Sequence, residues 1–243
     1  MQRQNLLMCG NILNSHRLCQ NSNNLMVILG GSFNPPHAGH VFISHQAKKL
    51  LKCKLVYWLP SPCNPLKITN ISNIDGSEPP SCQDYQLNTK HNIHNNIQWR
   101  IKHRTEQVRQ FIKPYAYIKL LDNENKLNRG KTAYSYITIK RLSQHYKKQI
   151  IFIIGEDNLV NFHLWKQPQE ILKYALLLVF KRPMAGKMYN SQDLGSNSTL
   201  YKNIKNSILY KKHQDKFIFM NIRTPNISST EIRNMRNNIN AKR

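Results

Sequence analysis

The apolar run Met26-Val27-Ile28-Leu29 leads directly into Gly30-Gly31-Ser32-Phe33-Asn34-Pro35-Pro36-His37-Ala38-Gly39-His40, and no other stretch constrains the fold of this chain as much. Paired glycines at the end of a short strand let the backbone approach a partner closely, and Pro35 and Pro36 stiffen the turn that follows. Where Gly39 and His40 open a helix, His37 and His40 share one side of it. They then stand beside unpaired backbone N–H groups at the positive end of the dipole, a setting that favours phosphate. Two plainer readings exist. A histidine pair three residues apart is half of a metal site, but no carboxylate or cysteine lies near enough in sequence to complete a ligand set, and the five cysteines contain no C-x-x-C pair. The pair also fits a loop with two solvated histidines. Glycines, prolines and histidines all fall where a strand-to-helix phosphate turn needs them, which favours phosphate.

Beyond this junction, apolar runs alternate with amphipathic stretches in the order of an open α/β sheet covered by helices. The runs predict strands over 26–30, 55–59, 116–121, 150–154, 175–180 and 217–222. Helices are predicted over 39–52, 98–112, 133–147, 158–164, 168–173 and 229–238. In such a sheet, ligands sit at the carboxyl ends of the strands. The notable segments comply: Gly30 to His40 follows the first strand, Pro60 to Lys67 the second, Gly155 and Asp157 the fourth, and Arg182 the fifth.

Ser228 with Glu231 three residues later has the form of a capping box, which puts Ser229 and Thr230 in the first turn of a helix. Arg233, one turn on, reaches the same anion as a charge-assisted donor. Taken alone, the segment reads better as a well-capped surface helix; only its company with Gly30 to His40 turns the reading toward an anion site. Asp157 at a strand tip suits an N-cap, Trp165 suits packing, and Lys67 ends an Asn-Pro-Leu-Lys turn that suits a phosphate.

Gly30 to His40 resembles the GGxFxPxHxGH signature of the H-x-G-H nucleotidyltransferases, and the rest of the chain narrows the resemblance to the nicotinate-nucleotide adenylyltransferases. Asn64-Pro65-Leu66-Lys67 resembles the PPHK segment of that family. Gly155-Glu156-Asp157 with Trp165 resembles its GxD and downstream Trp, Lys181-Arg182-Pro183 its xRP turn, and Ile227 to Arg233 its ISSTxIR motif. The five landmarks stand in family order across residues 26–236. The resemblance implies a Rossmann-like open, mostly parallel sheet with helices on both faces, and adenylyl transfer from ATP to nicotinate mononucleotide, giving deamido-NAD and pyrophosphate. It implies His37, His40 and Arg233 as catalytic residues. Gly30, Gly31, Ser32, Phe33, His37, Gly39, His40, Gly155, Asp157, Ser228, Ser229, Thr230 and Arg233 would then bind ATP. Asn34, Lys67, Tyr134, Ser135, Trp165 and Arg182 would bind the mononucleotide, Trp165 by stacking on the pyridine ring. Mg²⁺ is expected to arrive with ATP, and no metal ligand is expected from the protein. Two positions depart from the pattern: Leu66 stands where the family has histidine, and Ile137 where it often has an acid. Arg104, in the helix before the third strand, fits the site arginine that the resemblance implies there and equally fits a solvated helix face.

Length and composition agree. A chain of 243 residues with 40% hydrophobic content buries a sizeable core in one α/β domain. Residues 1–24 are expected to form an N-terminal arm without a role or to reflect an early start, and 25–243 a single nucleotidyltransferase domain. About 68–98 is expected to be a mobile insertion, and Met184 to Asn206 has the same polar character; both fit a lid and both fit neutral insertions. Apolar runs such as Tyr174 to Phe180 are too short to cross a bilayer, and five unpatterned cysteines without a secretory signal point to a reducing cytoplasm. The net charge of +24 is scattered along the chain and mixed with Asn, Ile and Tyr, so no specific nucleic acid and no membrane partner is expected, while weak adventitious binding of nucleic acid fits the charge. A homo-oligomer is compatible with the sequence. The alternatives are a sister enzyme such as pantetheine-phosphate adenylyltransferase, an aminoacyl-tRNA synthetase relative, for which no KMSKS-like loop is evident, and a basic nucleic-acid-binding protein.

Overall fold

The computed structural model describes residues 24–61, 102–122, 134–180, 208–220, 222, 224–225 and 227–240. Six strands are present: β1 (Leu25–Gly31), β2 (Val56–Pro60), β3 (Ile118–Leu120), β4 (Gln149–Gly155), β5 (Ala175–Phe180) and β6 (Phe217–Met220). They form one sheet in the order β3-β2-β1-β4-β5-β6, every neighbouring pair parallel. The helices are α1 (Ala38–Leu51), α2 (102–112), α3 (Ser135–Tyr146), α4 (Glu156–Val160), α5 (Pro168–Tyr174), α6 (Ile208–Lys212) and α7 (Ser229–Asn240). A parallel sheet is covered on both faces, so its strands must be apolar on both sides, and the runs in β1, β4 and β5 meet that demand. Met26, Ile28, Phe152, Ile154, Leu177 and Val179 turn to one face, under α3 and α5. Val27, Leu29, Ile151, Ile153, Leu178 and Phe180 turn to the other, under α1 and α2. Within α1, Ile43, Ala47 and Leu51 recur at a spacing of four residues and supply its buried stripe.

All six expected strands and the expected open parallel sheet are present, with ends displaced by a few residues. The expected helix over 158–164 is instead two pieces, α4 and the 3₁₀ turn Phe162–Leu164, separated at Asn161. Gly155, not Asp157, is the N-cap of α4, so Asp157 lies inside the helix. The short α6 was not expected from the polar sequence around it. Lys67, Arg182, residues 1–23 and the 68–98 and 184–206 segments lie outside the described residues. No helix among the described residues is long and apolar enough to cross a membrane.

Cys53 is buried at the end of α1, and burial pushes its thiol above the usual range. It is therefore protonated at neutral pH and shielded from electrophiles. Iodoacetamide at neutral pH is expected to leave the Cys53 peptide unmodified in native protein and to label it fully after denaturation, as read by peptide mass. Prompt labelling of native protein would contradict the buried position.

Candidate active site

The sheet order reverses direction between β1 and β4, and the strands separate there. Pairing of β1 with β4 ends at Leu29 and Ile153, while Gly30 and Gly31 stay with Leu59 and Pro60 of β2, and Ile154 and Gly155 stay with Val179 and Phe180 of β5. A crevice at the carboxyl ends of two diverging strands is where open α/β sheets hold ligands. Gly30 is required at its lip because a Cβ there would stand 2.7 Å from the buried Phe152 ring.

From this lip the chain turns through Ser32 to Pro36 into α1. Phe33 has φ 46, a left-handed conformation that costs a bulky residue about 1–3 kcal/mol. Its fully buried ring stacks on Trp58, with centroids 4.8 Å apart and planes at 11°. The helix then begins with an unusual cap. His37 is the N-cap, its Nδ1 accepting the Gly39 N–H at 3.2 Å, and His40 Nδ1 accepts the His37 N–H at 3.2 Å. This is a capping box made of two imidazoles, where serine and glutamate are usual. A neutral ring whose Nδ1 accepts carries its proton on Nε2, so the cap makes both rings Nε2 donors. The rings lie 3.8 Å apart, and both residues are buried. His40 is further held by Phe33 at 4.8 Å and by a relay in which Trp58 Nε1 donates to Ser44 Oγ, which donates to the His40 carbonyl, each at 2.8 Å.

The C-terminal helix docks onto this turn. Ser228 and Glu231 form the expected capping box: the Glu231 N–H donates to Ser228 Oγ at 3.2 Å and the Ser228 N–H to Glu231 Oε2 at 2.8 Å. Ser229 Oγ donates to the Pro35 carbonyl at 2.9 Å, and Arg233 Nη1 to the Asn34 carbonyl at 2.7 Å, while Arg233 Nη2 reaches Thr230 Oγ1 at 3.1 Å. The starts of α1 and α7 therefore meet, with Ile227 packed beside Gly39. The capping box takes the N–H groups of Ser228 and Glu231, and those of Ser229 and Thr230, next in the first turn, face outward from the hydrogen-bonded part of the helix. The arrangement offers an anion two imidazole donors, a helix start and a guanidinium with donors to spare.

Arg104 resolves in favour of a site contact. Its Nη1 donates to the Ser32 carbonyl at 2.9 Å and to the Ser61 carbonyl at 3.1 Å, tying the exits of β1 and β2 together. Burial lowers its pKa from the ordinary value, and it stands one and two turns before Val108 and Ile112 on the buried face of α2. That spacing of four residues was a readable signal. Arg104→Lys retains the charge but cannot hold both carbonyls, and a loss of about 1–2 kcal/mol is expected. Thermal denaturation should show Tm lowered by roughly 2–8 °C; an unchanged Tm would mean that the clamp contributes nothing.

Of the remaining expected residues, Lys67 and Arg182 lie outside the described residues, and Tyr134, Ser135 and Trp165 belong to the other face of the sheet. Tyr134 is the N-cap of α3 and Ser135 its first residue, on the face opposite α1, with the Tyr134 ring stacked against Tyr136 at 6.1 Å. Trp165 is half-buried on that same face, 5.4 Å from Phe162 and 6.4 Å from Phe152 between ring centroids. Phe152 is thus the link from Trp165 to Gly30. Gly155 closes β4 opposite the glycine pair.

Comparison with known proteins places this geometry in context. The cytidylyltransferase-like family model matches residues 28–74 and 86–235. A probable nicotinate-nucleotide adenylyltransferase of Pelagibacter ubique is 32% identical over 206 residues, 85% of this chain and 90% of that protein. One of Ruegeria is 29% identical, covering 85% of this chain and 94% of that protein. Among solved structures, the Plasmodium falciparum nicotinic acid mononucleotide adenylyltransferase complexed with NaAD superposes with a TM-score of 0.52 at 15% identity, over 86% of this chain and 82% of that one. The last shows likeness of fold.

Proposed function

This chain belongs to the cytidylyltransferase-like family, and within it to the nicotinate-nucleotide adenylyltransferases; from that premise we propose that it transfers the adenylyl group of ATP to nicotinate mononucleotide by direct in-line attack. The 5′-phosphate of the mononucleotide is anionic at neutral pH, so it needs no strong base and no enzyme-bound intermediate. One of its oxygens bonds to the α-phosphorus as the bond to the bridging oxygen of pyrophosphate breaks. The site supplies alignment and donors for charge that develops on the α-phosphate and leaving group. His37 and His40 supply Nε2–H donors. The start of α7 and Arg233 face the departing phosphates, and Gly30 to Phe33 with Gly155 border the nucleotide. Tyr134, Ser135 and Trp165 on the far side, with Asn34, Lys67 and Arg182, take the mononucleotide. Asp157 is assigned to the ATP side, and the substrate is Mg·ATP, its ion carried by the phosphates.

The observation that carries this reading is the clip from Ser229 and Arg233 to the carbonyls of Pro35 and Asn34, which brings two phosphate-favouring helix starts to one crevice. The decisive assay supplies Mg·ATP with nicotinate mononucleotide, nicotinamide mononucleotide or phosphopantetheine in turn and measures pyrophosphate. Release with nicotinate mononucleotide is expected. Release with phosphopantetheine alone would move the assignment to a sister activity, and release with none would end it.

A further inference from the structure

The edge of the sheet opposite the crevice collects lysine. All six strands are parallel, so each returning helix ends at their amino edge and its connection enters the next strand there. Lys52 and Lys54 precede β2, Lys147 and Lys148 precede β4, and Lys211 and Lys212 close α6 ahead of β6. Those strands are second, fourth and sixth in the sheet order, so the doublets recur about every 10 Å, two strand spacings, across the edge. Asp215, three residues after Lys212, lies 3.8 Å from Lys216. Charge that is scattered in the sequence is gathered by the topology.

Two ordinary explanations fall short. A helix dipole attracts lysine only to its last turn, whereas Lys54 and Lys148 stand beyond the helices. A general bias toward lysine and asparagine fails at Lys52 and Lys147. Both have φ 50, a left-handed conformation in which glycine and asparagine are favoured, and asparagine is abundant in this chain, yet lysine occupies both positions. Lysine thus stands at both positions against the local backbone preference.

We propose that this lysine edge binds the phosphodiester backbone of single-stranded nucleic acid without regard to base sequence. Lysine offers point charges suited to phosphates, and the doublets lack the planar forks that read base edges. Tyr146, an exposed aromatic residue next to Lys147, offers a stacking face for an unpaired base. A membrane-binding patch needs apolar side chains to insert, and the other exposed large apolar residues among those described, Leu164 and Met235, belong to the turn after α4 and to α7 and not to the segments that carry the doublets. The inference does not depend on the adenylyl-transfer reading, because the crevice is at the opposite edge.

Fluorescence anisotropy with a labelled oligouridylate tests it on the full chain. Affinity should fall about a hundredfold between roughly 50 and 200 mM salt, the response of about five phosphate contacts on a single strand. Replacing Lys52, Lys54, Lys147 and Lys148 with asparagine should weaken binding about tenfold or more at low salt. The equally discharged control, with asparagine at Lys102, Lys119, Lys140 and Lys166, should bind nearly as the wild type does. Pyrophosphate release should be unchanged in both. The double variant Lys52→Asn with Lys147→Asn should keep or raise Tm while binding more weakly, which separates the surface role from folding. Equal weakening by both quadruple variants, absence of salt-dependent binding, or capture by phosphatidylserine vesicles without oligonucleotide binding would each overturn the proposal.

Discussion

Replacing His40 with alanine is expected to lower turnover in pyrophosphate release by about a hundredfold or more, the loss that follows removal of one preorganised donor to a developing charge. The ring is set for that role from several directions. The His37 N–H fixes Nδ1 as the acceptor and thereby puts the proton on Nε2. Phe33 and His37 bracket the ring at 4.8 and 3.8 Å. Alanine also removes half of the capping box, so a stability loss of about 1 kcal/mol should accompany the loss of rate. His40→Asn separates the two effects. Its amide oxygen stands near the place of Nδ1 and restores the cap, but it presents no donor where Nε2 was. Tm should recover toward wild type while turnover stays low. Full turnover in His40→Asn would show that the ring serves only as a cap.

The same cap marks where sequence reading reached its limit. Strands β1, β4 and β5 were legible because both faces of a parallel sheet are buried, which leaves uninterrupted runs such as Ile150 to Ile154. The Ser228–Glu231 box was legible because its residue types and spacing are the common ones. Histidine is uncommon at an N-cap, so the sequence indicated that His37 and His40 flank the helix start without showing that each imidazole closes it. The relay from Trp58 through Ser44 to His40 joins residues fourteen and four positions apart on two elements, a contact that exists only once α1 packs against β2. Ser229 and Arg233 were expected to face an anion. What the structure shows is that they hold the carbonyls of Pro35 and Asn34, bonds across nearly the whole chain that only tertiary structure reveals. The lysines followed the same logic, since spacing along the chain says little until the topology folds each doublet onto one edge.

Gly39→Ala sets local preference directly against this convergence, and the outcome identifies which dominates. Gly39 lies inside α1, where alanine is the better helix former by about 1 kcal/mol. Yet a Cβ there would stand 2.9 Å from His37 Nδ1, 3.0 Å from its Cε1 and 3.1 Å from Ile227 Cγ2. Contacts that short require the His37 ring and the start of α7 to move apart, an overpacking cost of about 1–3 kcal/mol that the propensity gain partly offsets. Tm should therefore change by only a few degrees. Turnover should fall about a hundredfold, because the imidazole pair and the α7 start, to which the proposed function assigns the polyphosphate, are displaced together by a fraction of a carbon radius or more. Ala38→Gly, at the exposed neighbouring position, is the converse: it gives up about 1 kcal/mol of propensity and should leave turnover intact. If Gly39→Ala were stabilised and fully active, the two helix starts would not need to meet at this glycine, and their joint grip on one anion would have to be abandoned.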